Sequence, residues 1–199
     1  MDSRKPDLSE AFLAALRALM RLLHETQQEG VIIGGIAVGL QGYPRATRDV
    51  DILLDAGELD LAQFIDYALQ LGFEPRVPNL LDFARRNYVI KLIHRDGQIP
   101  VDISLAYTPL ELQIIREGNK ITVHGITVPV ARPEDLLIMK CIAQRSIDLV
   151  DVHELYQLYG DQIDLQRVRY WVEQFAEALE EPDLWAKVEP LLQRDSGTG

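Results

Sequence analysis

A single cysteine, Cys141, stands in a chain of 199 residues, so an internal disulfide and a cysteine-built zinc cluster are both excluded. Histidine is scarce as well. His24, His94, His124 and His153 share no metal-ligand spacing and read as surface or structural residues. Long hydrophobic runs are missing: residues 31–40 and 136–139 are the longest, far too short to span a bilayer. Residues 11–23 are interrupted by Arg17 and Arg21, with no small-residue cleavage site behind them. Neither a signal peptide nor a membrane partner is expected, and a cytoplasmic location is. Positive charge is also short, at 20 Lys and Arg against 31 Asp and Glu, a net of -11. Residues 151–199 carry 4 basic and 11 acidic side chains, a poor surface for wrapping duplex DNA. Residues 61–100 run the other way, with 5 basic and 4 acidic, and a polyanion is expected there if anywhere. What remains is ordinary: 47% hydrophobic and 26% charged residues are globular values, in a length that makes one domain or one with an appended lobe.

The periodicity predicts a first helix capped by Asp7 or Ser9, with Leu8, Phe12, Leu16, Leu19 and Leu23 on one stripe, ended by Gly30. A short apolar strand at 31–33 leads directly into Gly34-Gly35 and a helix at 36–41. Residues 50–54 read as a strand and 59–71 as an amphipathic helix. Two β-runs at 87–94 and 99–106 join through the turn Arg95-Asp96-Gly97-Gln98. A helix at 110–117 and a hairpin at 121–130 follow, and helical periods then cover 133–144, 148–159, 164–179 and 184–192. The order implies an α/β (α+β) sheet layer with a C-terminal helical bundle. We expect a core at 1–132, a helical lobe packed on it at 133–195, and a tail at 196–199.

Three features carry chemistry. Gly34-Gly35 lies at the exit of a buried strand, where glycine lets backbone approach a ligand and helix N–H groups attract anions. Asp49 and Asp51 alternate onto one strand face, and like charges so close call for a cation with oxygen ligands. Asp102 is a lone acid inside an apolar β-run and needs a partner, for which the same metal site is suited. Lys140, among Leu136, Leu137, Met139 and Ile142, is expected to be partly buried beside a counter-charge. Tyr43, Tyr88 and Tyr107 are candidates for stacking on a base, and Cys141 reads as a small core residue.

Gly34-Gly35, a gap of thirteen residues, Asp49-x-Asp51 and the later Asp102 together resemble the nucleotidyltransferase superfamily of the DNA polymerase β-like fold. The segments Gly34-Gly35-Ile36-Ala37-Val38, Arg45-Ala46-Thr47-Arg48-Asp49-Val50-Asp51-Ile52, Pro133-Glu134-Asp135-Leu136-Leu137-Ile138-Met139-Lys140 and Arg145-Ser146-Ile147-Asp148-Leu149-Val150-Asp151-Val152 are similar to its AbiEii/MenT-like branch. Gly35 stands where many relatives have serine, and Ile147 where a lysine often precedes the aspartate. The resemblance implies a nucleotidyltransferase-like mixed sheet flanked by helices. It also implies transfer of a nucleoside monophosphate from an NTP to an acceptor hydroxyl: a tRNA 3′ end, a protein or a small molecule. Asp49, Asp51 and Asp102 would bind two Mg2+ ions, with Asp102 also orienting or deprotonating the hydroxyl. Gly34, Gly35, Arg45, Thr47, Arg48, Lys140 and Arg145 would contact nucleotide phosphates, and Asp148 and Asp151 would orient Lys140 or touch base or ribose. A toxin paired with a basic antitoxin is one form the branch takes.

Two alternatives stay open on sequence grounds. A catalytically idle relative that binds nucleotide or a partner would lack part of the acid triad, and all three acids are present. An unrelated α/β domain matching by accident would not bring Gly34, Asp49, Asp51, Asp102 and Lys140 together in space.

Overall fold

The computed structural model describes residues 8–43 and 47–194. Helix α1 (Glu10–Thr26) is capped by Ser9, whose hydroxyl accepts from the Phe12 amide; Asp7 lies outside the described residues. The helix stops at Gln27 in a left-handed conformation rather than at Gly30, which is the first residue of β1 (Gly30–Ile33). All four β1 residues are buried, and α2 (Gly34–Leu40) starts at once, two residues before the predicted position. β2 (Val50–Asp55), α3 (Leu61–Gln70) and β3 (Phe73–Pro75) follow, then α4 (Leu80–Asn87), β4 (Val89–His94) and β5 (Ile99–Ala106). The periodicity does not predict β3 or α4, and it assigns Asn87 and Tyr88 to a strand. Asn87 instead ends α4, and Tyr88 caps that helix in a left-handed conformation.

α5 (Pro109–Glu117) opens with a capping box between Thr108 and Glu111. The hairpin β6 (Asn119–Val123) and β7 (Ile126–Val130) precedes α6 (Pro133–Ala143), α7 (Ser146–Tyr159), α8 (Leu165–Ala178) and the short α9 (Leu184–Val188). The strands form one mixed sheet ordered β3-β4-β5-β2-β1-β7-β6. β2 runs parallel to β5 and β1 to β7, while the other neighbours are antiparallel.

Burial alternates along the central strands, as a sheet with one fully packed face requires. Val50, Ile52 and Leu54 in β2, Val101 and Ile103 in β5, and Ile90 and Leu92 in β4 are buried on that face. Asp51, Asp102 and Lys91 alternate with them onto the other face. The core continues without a break into the C-terminal helices. α6 buries Leu136, Leu137, Ile138 and Cys141, and α7 buries Val152 and Leu155. No helix among the described residues is long and apolar enough to cross a membrane.

Candidate functional site

β1, β2 and β5 bring Gly34, Asp51 and Asp102 side by side. Ile33 is the register partner of Asp51, and Asp51 is the register partner of Asp102. Gly34 leaves β1 with φ +69, and a side chain there would overlap the Asp51 carboxylate. Glycine is therefore required twice over, by backbone conformation and by contact. Asp49 sits one residue before β2 rather than on its face, and the Thr47 hydroxyl bonds its Oδ1 at 2.9 Å. Arg48 is exposed beside it, and Arg45 lies outside the described residues.

Asp51 pays for this company electrostatically. Burial first, then Asp49 and Asp102, push its pKa up from 3.8 to about 6, while Lys140 and Arg145 pull it back. Those five residues thus share one electrostatic neighbourhood, although they come from β2 and the residue before it, β5, and the α6–α7 junction.

Asp102 differs from expectation. Its carboxylate is half-buried and already partnered: the Arg76 guanidinium donates to Oδ1, and Lys91 Nζ donates to Oδ2 at 2.8 Å. Lys91 is its register partner on β4, and the Arg76 amide continues the ladder by bonding the Lys91 carbonyl at 3.0 Å. Arg76 and Lys91 are the residues that motif reading misses. Lys91 was visible only as part of a basic stretch, and Arg76 adjoins a three-residue strand with no periodic signal.

Lys140 is buried as expected, with 6% of its side chain exposed. Its ammonium lies 2.7 Å from Asp148 Oδ1 and 2.9 Å from Asp151 Oδ2, and Arg145 Nε reaches Asp148 Oδ2 at 2.6 Å. These donors hold the Asp148 carboxyl below the usual carboxylate range against its own desolvation. Both aspartates have no exposed side-chain surface, which corrects the expectation that they touch base or ribose: a ligand in solvent does not reach them. They neutralise and orient Lys140 instead. Cys141 beside it is pushed up to about 12 by burial, an inert thiol.

Among the described residues, no three His, Cys, Asp or Glu side chains gather into a metal-ligating group. Asp49 and Asp51 nevertheless suit magnesium, which takes one or two carboxylates and completes its octahedron with waters and substrate phosphates. The raised pKa of Asp51, set by burial first and then by Asp49 and Asp102 and only partly offset by Lys140 and Arg145, is what a cation bound between the acids would reverse. A second ion at Asp102 has to share or displace the donors of Arg76 and Lys91.

The fold is that of nucleotidyltransferases. The chain superposes on the antibiotic-resistance factor ANT(2'')-Ia with a TM-score of 0.59 at 14% identity, covering 86% of this chain and 95% of that one. The lincosamide antibiotic adenylyltransferase LnuA gives 0.52 at 17% identity, covering 76% and 99%. An antigenic nucleotidyltransferase-like protein from Paracoccidioides brasiliensis gives 0.52 at 19% identity, covering 92% and 94%. No curated protein matches the chain in sequence. The match that reaches beyond fold is to a family: residues 12–182 fit the one described as nucleotidyl transferase of unknown function (DUF2204), and the chain belongs to it.

Proposed function

We propose that the protein transfers a nucleoside monophosphate from an NTP to an acceptor hydroxyl, releasing pyrophosphate. The observation that carries this is the seating of Asp51 against Gly34, with Asp49 and Asp102 close enough to raise its pKa. Asp49 and Asp51 would hold magnesium, which when bound neutralises triphosphate charge and makes the α-phosphorus more electrophilic. The Gly34-Gly35 backbone lets the phosphates approach without a side chain in the way, and Arg48 is exposed next to the acids to meet them. Lys140 acts from below as a positioning residue. Fixed by Asp148 and Asp151, it contributes a positive potential at Asp51.

Asp102 accepts one donor on each oxygen, which leaves lone pairs on both for an acceptor hydroxyl. The hydroxyl oxygen bonds to the α-phosphorus, its proton passes to the Asp102 carboxylate, and the bond to the β-phosphate oxygen breaks in line. Pyrophosphate carries away that electron pair.

Similarity of 31–55, 99–104 and 133–152 to the AbiEii/MenT-like branch supports placing the chain there, with a basic antitoxin as partner for the acidic C-terminal lobe. The reading of an unrelated α/β domain matching by accident loses support from the convergence of Gly34, Asp49, Asp51, Asp102 and Lys140, and the idle-relative reading from the presence of all three acids.

The test incubates purified protein with each α-labelled NTP, magnesium, total tRNA, total cell protein and a small aminosugar. Label on any acceptor, lost in Asp49→Ala/Asp51→Ala, is the expected result. Absence of both transfer and magnesium-dependent NTP binding overturns the proposal.

A further inference from the structure

The site has a positive half that the reaction as written does not use. Reading across the sheet at one level, the order is Asp51, Asp102, Lys91, Arg76, each on the neighbouring strand or its direct extension, with Gly34 next after Ile33, the β1 partner of Asp51. Register partners share a face, so these side chains form one transverse row, with acids in the middle and bases at the outer end. Arg76 and Lys91 spend one donor each on Asp102. A guanidinium has five N–H donors and an ammonium three, so most of their hydrogen-bonding capacity is open. Two cations facing one carboxylate also leave a surplus positive charge, with both side chains about a third exposed or less. Partly buried like charges are relieved by an anion placed between them.

The direction of the reaction says whose anion this is. With triphosphate at the Gly34 and Asp51 end, an in-line attack brings the acceptor hydroxyl in from the Asp102 side. Whatever the hydroxyl is attached to then lies over Lys91 and Arg76, about one to two strand spacings (~5–10 Å) further along the row. A cationic acceptor would meet both positive charges there at short range. An acceptor bearing a phosphate would meet a guanidinium suited to bidentate phosphate contact and an ammonium beside it. The local charge outweighs the acidity of distant surfaces, because exposed charges beyond about 10 Å are screened.

We propose that the acceptor is a phosphate-bearing alcohol, a sugar phosphate or a polynucleotide end, whose phosphate seats on Arg76 and Lys91 while its hydroxyl meets Asp102. This rests on the nucleotidyl-transfer reading, and the two are separated by measuring phosphate and nucleotide binding independently. The probes are a short fluorescein-labelled oligoribonucleotide with a free 3′ hydroxyl, read by anisotropy, with ribose 5-phosphate, ribose and tobramycin as competitors. Fluorescent NTP analogue binding with magnesium is measured alongside.

Arg76→Gln/Lys91→Gln is expected to weaken oligoribonucleotide binding at least tenfold. The log K against log salt slope becomes shallower by about 1 to 1.5, as loss of two phosphate contacts to a single strand requires. Arg76→Lys/Lys91→Arg, which keeps both charges, restores most of the affinity and separates charge from folding. Competition by ribose 5-phosphate but not ribose assigns the phosphate itself, and an oligoribonucleotide advantage over ribose 5-phosphate names a polynucleotide as the source. Equal binding by wild type and the Gln variant, or competition by tobramycin at least as strong as by ribose 5-phosphate, overturns the inference. NTP binding lost in Asp49→Ala/Asp51→Ala without pair-dependent phosphate binding overturns this inference alone. Pair-dependent phosphate binding without NTP binding overturns the transfer reading, and the acceptor assignment falls with it.

Discussion

Asp51 holds its charge at a cost, and that cost is measurable. A carboxyl whose folded pKa is about 6 against 3.8 unfolded is most favourable when protonated. Its contribution to stability is fully present below pH 3.8 and is lost as pH rises through 6, about 3 kcal/mol in all for a shift of this size. Asp51→Asn removes that loss. In EDTA, the urea-derived stability of the Asn variant is expected to exceed wild type at pH 7.5, and the difference should shrink by most of that amount at pH 4.5. Magnesium should stabilise wild type at pH 7.5 and leave the variant unmoved; a variant stabilised equally by magnesium would remove Asp51 from the metal site. Below pH 6 the ion must displace a proton, so its apparent affinity drops about tenfold per pH unit. Lys140 makes the opposite case. Removing it in Lys140→Ala leaves Asp148 and Asp151 buried without their shared cation, a change worth about 3–5 kcal/mol in chemical denaturation. Adding Asp148→Asn/Asp151→Asn to a Lys140→Met background should recover most of it, since the penalty lies in the unpaired charge. A merely exposed lysine would cost less than about 0.5 kcal/mol.

The β1–α2 junction shows how an element delivers a residue. Gly34→Ala puts a methyl group at φ +69 and into the Asp51 carboxylate, so both backbone strain and displacement of a ligand follow. We expect a loss of about 1–3 kcal/mol and of magnesium-dependent NTP binding together. Gly42→Ala is the control: its φ is +108 with open space around it, so it carries strain without overlap and should leave nucleotide affinity within twofold. This junction was legible from sequence because an all-buried apolar strand followed by two glycines has few alternatives. Asp49 and Asp51 were legible for the same reason, as charged residues abutting an apolar run. What was not legible follows from non-local pairing. β3 is three residues long and contains Pro75, and α4 is only eight residues, two turns with half of them apolar, too short for its period to stand apart from the β-run that follows. Without β3 and β4 in order beside β5, Arg76 and Lys91 cannot be assigned to Asp102, and Asp102 reads as an acid awaiting metal. The burial of Asp148 and Asp151 was hidden likewise, because α7 buries polar and apolar residues together.

At the scale of the whole molecule, the helical lobe is part of the site rather than an attachment to it. α6 carries the buried Lys140 that acts on Asp51, and its Leu136, Leu137, Ile138 and Cys141 complete the apolar core. A polar link runs across the same boundary: the Tyr159 hydroxyl donates to the Gln41 carbonyl. An ion network crosses it as well: the fully buried Asp135 meets Arg167 within the lobe and Arg132 at the end of the core, and Arg132 also pairs with Glu117 on α5. Cutting after residue 132 would strip α2 of its packing against α6, at about 1.5–3 kcal/mol for each large aliphatic side chain that loses its partners. Total stabilities of domains are about 5–15 kcal/mol, so the loss of three such contacts with α6, about 4.5–9 kcal/mol, is of the same size as the whole. The 1–132 segment is therefore expected not to fold by itself, and the full chain to melt in one calorimetric transition with equal calorimetric and van't Hoff enthalpies. A 1–132 fragment with cooperative unfolding and a native near-ultraviolet spectrum would show the opposite, two independent units. Lys140 would then act on Asp51 across a docked interface, and its influence on magnesium affinity would depend on how firmly the lobe is docked.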